Sequence, residues 1–534
     1  MRKIFTKTAL TGATAIIIYL MILNFVFHMA TGWQYGLFND ELYYFSMSNN
    51  LDFGYVDVTP ITAWLMALSR LLLGDSIQAM HVFPALAGSF TMLFAALTAR
   101  KMGGGRFAQA LTALAVMMAP AFMAVFSMFI YDAFDQLMSA VVMFLAAKIL
   151  SGEDSPKNWA LLGLMTGIGI MVKITMGFMV IALIAGLLLT HARKYFTSKW
   201  LWISAAIAFA CFIPYLIWQW THGFPIADYL QLYTRTRTIT PPVWQLFLNI
   251  WFSMNPLSIL LWLGGLVMLF TKRGRELRAF AWAFIVYFAI AAVLYVKFYA
   301  LGGALLPLIA FGSVCLEKNY RRCTLSIDQS APAVQQKKGA LSRALKACYV
   351  ALLCLLGMLF VPLSVPLLSP ADTAAYDKAL GFSRNIRWEN YPGSGIPMLL
   401  SGRLGWEELA GAVSDVYHSL PEPDREDCYI LCMNYSEAGA IDYYSEKYDI
   451  PHAISGHLSH YHWGYGGYDG RCLIIFGLRN YTVSSLGIIF EEVSDVKGPH
   501  TEFASSYEND IPIYICKGLK ISLDEFWKSM RSVK

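Results

Sequence analysis

Long apolar runs with no polar face fill the first 368 residues, at about 9–29, 78–99, 107–125, 130–149, 159–175, 177–191, 200–218, 253–270, 279–296, 299–316 and 347–368. A helix needs ~20 such residues to cross the hydrocarbon of a bilayer. The pattern predicts an all-α polytopic membrane domain of about eleven transmembrane helices over residues 1–368. The third to sixth runs are short or closely coupled, which leaves that count open by one or two. From 369 to 534 the pattern changes. Amphipathic stretches at 406–420 and 437–448 alternate with short, β-branched apolar runs at 428–433, 472–477, 488–493 and 511–516. They predict helices and buried strands of an α/β domain with a small, mainly parallel sheet.

Composition agrees with the pattern: 57% of residues are hydrophobic and 14% charged, against ~25% charged in soluble domains. Lysine and arginine set the expected orientation, because cytoplasmic loops retain an excess of them. An internal N-terminus places Arg2, Lys3 and Lys7 in the cytoplasm, followed by Arg100, Lys101 and Arg106, then Arg193, Lys194 and Lys199. Lys272, Arg273, Arg275, Arg278 and the basic linker 318–346 fall on the same side. The opposite loops hold few cations, chiefly Arg70, Lys173, Arg235, Arg237 and Lys297. An odd number of spans then makes the C-terminal domain extracytoplasmic, in a multi-pass protein of the cytoplasmic (inner) membrane. The first run is long and lacks a small-residue cleavage pattern before Trp33, so it reads as a span and not a signal peptide. Topology accounts for the net charge of +5, and no nucleic-acid partner is needed.

Four of the nine cysteines, Cys428, Cys432, Cys472 and Cys516, lie in the exported part. Cys428 and Cys432 are ~13 Å apart along one strand, beyond disulfide reach. A cross-strand pair with Cys472 or Cys516 and buried free thiols both stay open.

Candidate chemistry lies in the outward loops. The segment NDELYY sets Asp40, Glu41, Tyr43 and Tyr44 after the first span, and a short amphipathic piece, 60–73, follows Asp52 and Asp57. Such a piece lies along the membrane interface, where a carboxylate reaches an acceptor hydroxyl; the competing role for Asp40 is to cap its helix. In YDAFDQL, Asp132 and Asp135 stand at the mouth of the fourth span, where charge is costly without water or a partner. Lys173 is flanked by apolar residues in MVKITMG. It either snorkels to the interface or neutralises a phosphate, a task Arg235, Arg237 and Lys297 could share.

These residues also carry a resemblance. NDELYY, YVDVTP, ALSRLLLGDS, HVFPALAG, the DQL of the fourth span, VKITMGF, WQWTHGFP and KFY follow the order of landmarks in the bacterial glycosyltransferase family 39 enzymes. That family, of the GT-C superfamily, groups lipid A aminoarabinose transferase-like proteins and protein O-mannosyltransferases. The exported segments NYSEAGAIDYY, AISGH and YENDIPIYICKGL are similar as well. The resemblance implies transfer of a sugar from a polyprenyl-phosphate donor to a lipid, glycan or protein acceptor on the outer face. It matches Asp40 to the catalytic aspartate, Glu41 to its neighbour, Asp57 to the second-loop acid and Lys173 to the family lysine, with Asp135 aligning better than Asp132 as the second acid. Catalytic candidates are thus Asp40 and Asp135. Glu41, Tyr44, Asp57, Asp132, Lys173, His222, Arg235, Arg237, Lys297 and Tyr299 are substrate-binding candidates. Two departures bear on the donor: Asp57-Val58-Thr59-Pro60 lacks the basic residue and second proline common in relatives, and His81 stands where arginine is common.

A lipid-linked phosphate leaves as a stable anion, so one base and one phosphate cradle suffice. Asp40 is the expected base, Lys173 and the outer-loop arginines the cradle, and Asp135 the group that orients sugar or acceptor. Direct displacement would invert the anomeric carbon. No cofactor is required, and a divalent metal stays open. His452, His457, His460 and His462 are close in sequence but lack partner spacing for zinc, and read as a solvated aromatic loop. Gly103–Gly105 reads as a tight cytoplasmic connector, since no P-loop ending follows. Trp200, Trp218, Trp220, Trp244 and Trp251 read as interfacial anchors. Two other classes remain: a transporter or flippase of lipid-linked sugars, which should show two repeated halves with interrupted helices, and a membrane scaffold for an exported binding domain.

Overall fold

The computed structural model describes residues 12–236, 240–325, 332–381, 394–505 and 509–532. Each apolar run holds a helix. In chain order these elements are α1 (Ala13–Thr31), α2 (Asn39–Asn49), α3 (Ile61–Leu73), α4 (Ile77–Lys101), α5 (Arg106–Met117), α6 (Pro120–Val125), α7 (Tyr131–Leu150), α8 (Pro156–Val172) and α9 (Met176–Leu188). Then come α10 (Lys199–Thr221), α11 (Pro225–Thr236), α12 (Val243–Ser253), α13 (Ile259–Leu269), α14 (Ala279–Leu294), α15 (Gly302–Leu325) and α16 (Pro332–Ser364). Among the described residues six helices are long and apolar enough to cross a membrane, or eight if two pairs bent by 105° and 106° each count as one span. The expected eleven runs outnumber these because several are broken. The run 107–125 splits into α5 and α6 before Pro120, and 253–270 is interrupted at Asn255, whose backbone is left-handed (φ 64°).

Burial separates the centre of the bundle from its lipid-facing rim. The window Phe298–Lys318 is 94% buried, whereas the windows in α1, α10 and α16 are 22%, 11% and 17% buried. Small residues make the close crossings, as they must where lipid tails remove the hydrophobic drive between helices. A Cβ at Gly312 of α15 would strike the backbone of Leu261 in α13, and one at Gly265 that of Leu308. Helix α3 leaves Leu68, Leu71, Leu72 and Leu73 exposed, an apolar edge of the kind an interfacial helix presents.

The basic connections gather at one end of the bundle. Lys101 pairs with Glu153, the Tyr195 hydroxyl donates to Ile149 O at 3.1 Å, and Arg275 Nε donates to His191 Nε2 at 2.8 Å. Gly105 N donates to Glu317 Oε2 at 2.5 Å, so a carboxylate already occupies the glycine turn. The loops that carry the candidate acids and Lys173 meet at the other end, under the C-terminal part.

That part contains both expected amphipathic helices, Trp406–Ser419 and Tyr435–Tyr448, and the expected strands β1 (Cys428–Cys432), β3 (Cys472–Phe476), β4 (Phe490–Val496) and β5 (Ile513–Leu519), with a two-residue β2 (Ala453–Ile454) besides. The sheet order is β2-β1-β3-β5-β4. Pairing is parallel for β2–β1–β3 and antiparallel for β3–β5–β4, so the sheet is mixed and not mainly parallel. The helix Tyr435–Tyr448 supplies the crossover that parallel pairing needs; β4 and β5 are joined by a loop and pair antiparallel. Cys428 and Cys472, in register on β1 and β3, form a disulfide, leaving Cys432 and Cys516 as buried thiols.

The sheet part is fastened to the membrane part through α2. Ser46 Oγ donates to Asp442 Oδ2 at 2.6 Å, and Gly439 lies against the backbone of Leu42, where an added Cβ would stand 2.6 Å from the carbonyl carbon. Gly439→Ala is expected to destabilise the protein by about 1–3 kcal/mol through overpacking, read as a lowered thermal midpoint in detergent.

Candidate active site

Adjacent helical residues point ~100° apart, so the first turn of α2 sends Asp40 and Glu41 in different directions. Asp40 faces a cavity of ≈ 330 Å³. Six further candidates line the same cavity with it: Tyr44, Asp57, Asp132, Lys173, Lys297 and Tyr299. Three of them are delivered by the end or the start of a helix. Lys173 is the extended residue (φ −151°) between α8 and α9, Asp132 lies in the first turn of α7, and Lys297 follows the left-handed Tyr295 (φ 54°) that ends α14. Lys173 Nζ binds Asp132 Oδ1 and lies 4.5 Å and 5.2 Å from the ring centroids of Tyr131 and Tyr299. Lys297 Nζ lies 5.6 Å and 5.9 Å from the rings of Tyr233 and Tyr299. Such contacts hold a cation near a low-dielectric wall without consuming its charge. Asn39 Oδ1, Thr59 Oγ1 and Thr175 Oγ1, all on lining residues, are buried with no hydrogen-bond partner. Buried polar atoms are ordinarily paired, so these three offer capacity for a polar ligand.

The C-terminal part completes the site. The Tyr435 hydroxyl donates to Asp40 Oδ1 at 2.9 Å, while Tyr435 N donates to His457 Nδ1 at 2.9 Å and the two rings stack at 5.3 Å. Because Nδ1 accepts, a neutral His457 carries its proton on Nε2. The Tyr43 hydroxyl lies 3.1 Å from Asp57 Oδ1 and 2.8 Å from Ser459 Oγ. Burial, then the charge of Asp40, pushes the Tyr44 phenol well above its ordinary value, so it stays a neutral donor. In the sequence Tyr435 stands out only as a member of NYSEAGAIDYY, and His457 only as a member of AISGH and of the histidine cluster.

Several candidates fall elsewhere. Glu41 is fully buried and spent on the fold: Oε2 accepts from Phe38 N at 2.7 Å, and Oε1 from Phe129 N at 2.5 Å and His81 Nε2 at 2.7 Å. Burial alone would raise its pKa, but His81, Arg403 and the Phe129 amide together hold it below the ordinary 4.5. Asp135, nearly one turn deeper in α7 than Asp132, is absent from the lining and faces Gln136 Nε2 at 3.4 Å. His222 stacks on Trp218 at 4.1 Å on the exposed end of α10, outside the lining. Arg235 is exposed on α11, whose other face gives the cavity Ile226, Tyr229, Leu230 and Tyr233; Arg237 lies outside the described residues. The four clustered histidines disperse: His457 and His460 are buried, His452 meets Asp442 at 3.4 Å and His462 meets His222, so the segment is no solvated loop. Among the described residues no group of three His, Cys, Asp or Glu side chains is arranged to hold a metal.

Comparison with known proteins agrees with this architecture. Residues 57–218 match a family model described as dolichyl-phosphate-mannose-protein mannosyltransferase. The fold is similar to that of ArnT from Cupriavidus metallidurans bound to undecaprenyl phosphate, with a TM-score of 0.56 and 12% identity over 94% of this chain and 97% of that one. The apo state of the same enzyme gives a TM-score of 0.54 at 12% identity, covering 94% and 98%. No curated protein matches by sequence. The chain is thus a multi-pass membrane protein with the GT-C glycosyltransferase fold, as the sequence landmarks led us to expect.

Removing the Glu41 charge should cost the fold. Glu41→Gln is expected to lose about 3 kcal/mol, in the range of a broken buried ion pair, seen as a lower unfolding midpoint. Because the folded pKa is depressed, the contribution is complete above pH ~4.5 and fades as pH falls further. The wild-type midpoint should therefore drop more steeply than that of Glu41→Gln below this pH.

Proposed function

We propose that this chain transfers a sugar from a polyprenyl-phosphate carrier to a lipid, glycan or protein acceptor at the outer face of the cytoplasmic membrane. The observation that carries the reading is one cavity holding a carboxylate, Asp40, and two lysines, Lys173 and Lys297. ArnT, whose fold the chain resembles, has been solved with undecaprenyl phosphate. In the proposed reaction an acceptor oxygen or nitrogen attacks the anomeric carbon and its proton passes to Asp40. The bond from that carbon to the phosphate oxygen breaks, and the prenyl phosphate departs as an anion. Asp132 pairs with Lys173, and Lys297 brings a second cation to the phosphate. Val172, Ile174, Phe178 and Leu294 give the cavity an apolar side for the first units of a prenyl chain. Tyr435 is a positioning residue that aims the Asp40 carboxylate. The basic end of the bundle is then cytoplasmic, and the division into a transglycosylating part, 1–368, and an extracytoplasmic part, 369–534, follows that topology.

Asp40→Asn is expected to lower transfer 10²–10⁴-fold, the usual worth of a general base. Glycolipid and envelope-glycan profiles of cells with the normal chain, without it and with Asp40→Asn should show the same sugar missing in the last two, with its lipid-linked donor accumulating on the outer leaflet. Donor trapped on the cytoplasmic leaflet would make the protein a flippase, and an unchanged Asp40→Asn profile would remove Asp40 as the base.

Tyr435→Phe deletes a hydrogen bond to a charged acceptor, worth about 1.5–3 kcal/mol. Losing that donor makes the carboxylate more basic. The acidic limb of the pH–rate profile is therefore expected to move to higher pH, an effect that mere loosening of the fold would not produce.

A further inference from the structure

A second cavity, of ≈ 1180 Å³, lies on the other side of α2, between α2, the end of α3 and the exported helix Tyr435–Tyr448. It exceeds the ~300–1,000 Å³ of an ordinary small-molecule site. One layer of rings divides it from the Asp40 cavity: Tyr43, which lines the first, stacks on His460, which lines the second, at 5.6 Å and 19°.

His460 is the feature without a structural purpose. It is 3% exposed, and neither ring nitrogen has a hydrogen-bond partner. Burial pushes its pKa down to about 4, which keeps the ring neutral with one donor and one acceptor to offer. Trp463 packs beside it at 4.4 Å, and Tyr443 and Tyr444 supply further aromatic wall.

Charge selects among ligands. Asp75, Glu407, Asp442 and Glu446 line the cavity against two fixed cations, Arg70 and Lys447. Both cations are already engaged, Arg70 with Asp75 at 2.8 Å and Lys447 with Glu407. Even with His452 counted as charged, since its hydrogen bond to Asp442 raises its pKa above 6.5, carboxylates remain in excess. A phosphate or other anion is disfavoured there. Flat aromatic faces, carboxylates, the exposed amides of Asn49 and Asn50 and a neutral imidazole instead fit a ligand that is apolar on its ring faces and rich in hydroxyls at its edges.

We propose that this cavity is a saccharide-binding site for neutral or amino-sugar chains, separate from the Asp40 cavity and independent of its catalytic role. The test is titration of the full-length protein in detergent, followed by saturation-transfer NMR, with maltotetraose, chitotetraose, the tetramer of glucosamine and, as anion, tetragalacturonate. At least one of the first three is expected to bind saturably, at least tenfold tighter than tetragalacturonate. Trp463→Ala and the solvent-exposed Asn49→Ala should each weaken it at least tenfold, while Asp40→Asn leaves it unchanged. Asn49→Ala serves if Trp463→Ala unfolds. Binding of none of these probes would overturn the proposal. So would preference for tetragalacturonate, or binding that survives both wall variants or disappears with Asp40→Asn.

Discussion

Buried charge at Glu41 is the constraint on which the site depends. One carboxylate with no exposure takes the amides of Phe38 and Phe129 and the imidazole of His81, so the start of α2, the turn before α7 and the start of α4 are held at fixed separation. Arg403 adds the C-terminal part to the same knot: its guanidinium donates to Gly32 O at 2.7 Å and to Ser127 Oγ at 2.6 Å. Burial lowers its pKa to about 10, which leaves it cationic at neutral pH. Leaving any of these charges alone in a low-dielectric interior would be far more costly than the pairings that hold them. His81 is therefore a working member of a buried cluster whose guanidinium comes from Arg403. With Glu41 immobilised, Asp40 is presented to the cavity by the geometry of a single helical turn.

The cavity itself is a balance of opposite charges drawn from distant parts of the chain. Asp132 restrains Lys173, aromatic rings flank Lys173 and Lys297, and Tyr435 restrains Asp40. These contacts hold the groups in place before any ligand arrives, the preorganisation on which the proposed transfer would draw. The C-terminal part is integral to this arrangement, since Tyr435, His457 and Leu458 form one wall of the cavity. That shared wall argues against a membrane scaffold carrying an independent binding domain.

The second cavity and the first lie on opposite sides of α2, divided by the Tyr43 and His460 rings. The helix that bears Asp40 is thus clasped between membrane helices on one side and the sheet part on the other. Ser46–Asp442 and the Leu42–Gly439 contact set how closely the two parts approach.

Sequence alone determined the class of the molecule. Apolar runs of spanning length, basic loops of one sense and the change to alternating strands and helices after 368 are local properties, written in hydrophobic period and composition, and they survive without any long-range contact. The same locality limited the rest. Whether Asp132 or Asp135 faces the cavity is a matter of ~60° about the axis of α7 and ~4.5 Å along it, which only the packing of α7 against its neighbours fixes. Glu41 looked like a second ligand because it adjoins Asp40; the burial that turned it into an anchor comes from residues 40, 88 and 362 positions away. Tyr435 bonds Asp40 across 395 positions of the chain, and His457 holds Tyr435 from farther still. Long-range convergence of this kind leaves no periodicity in the chain, and so the tertiary structure alone decided which charges meet.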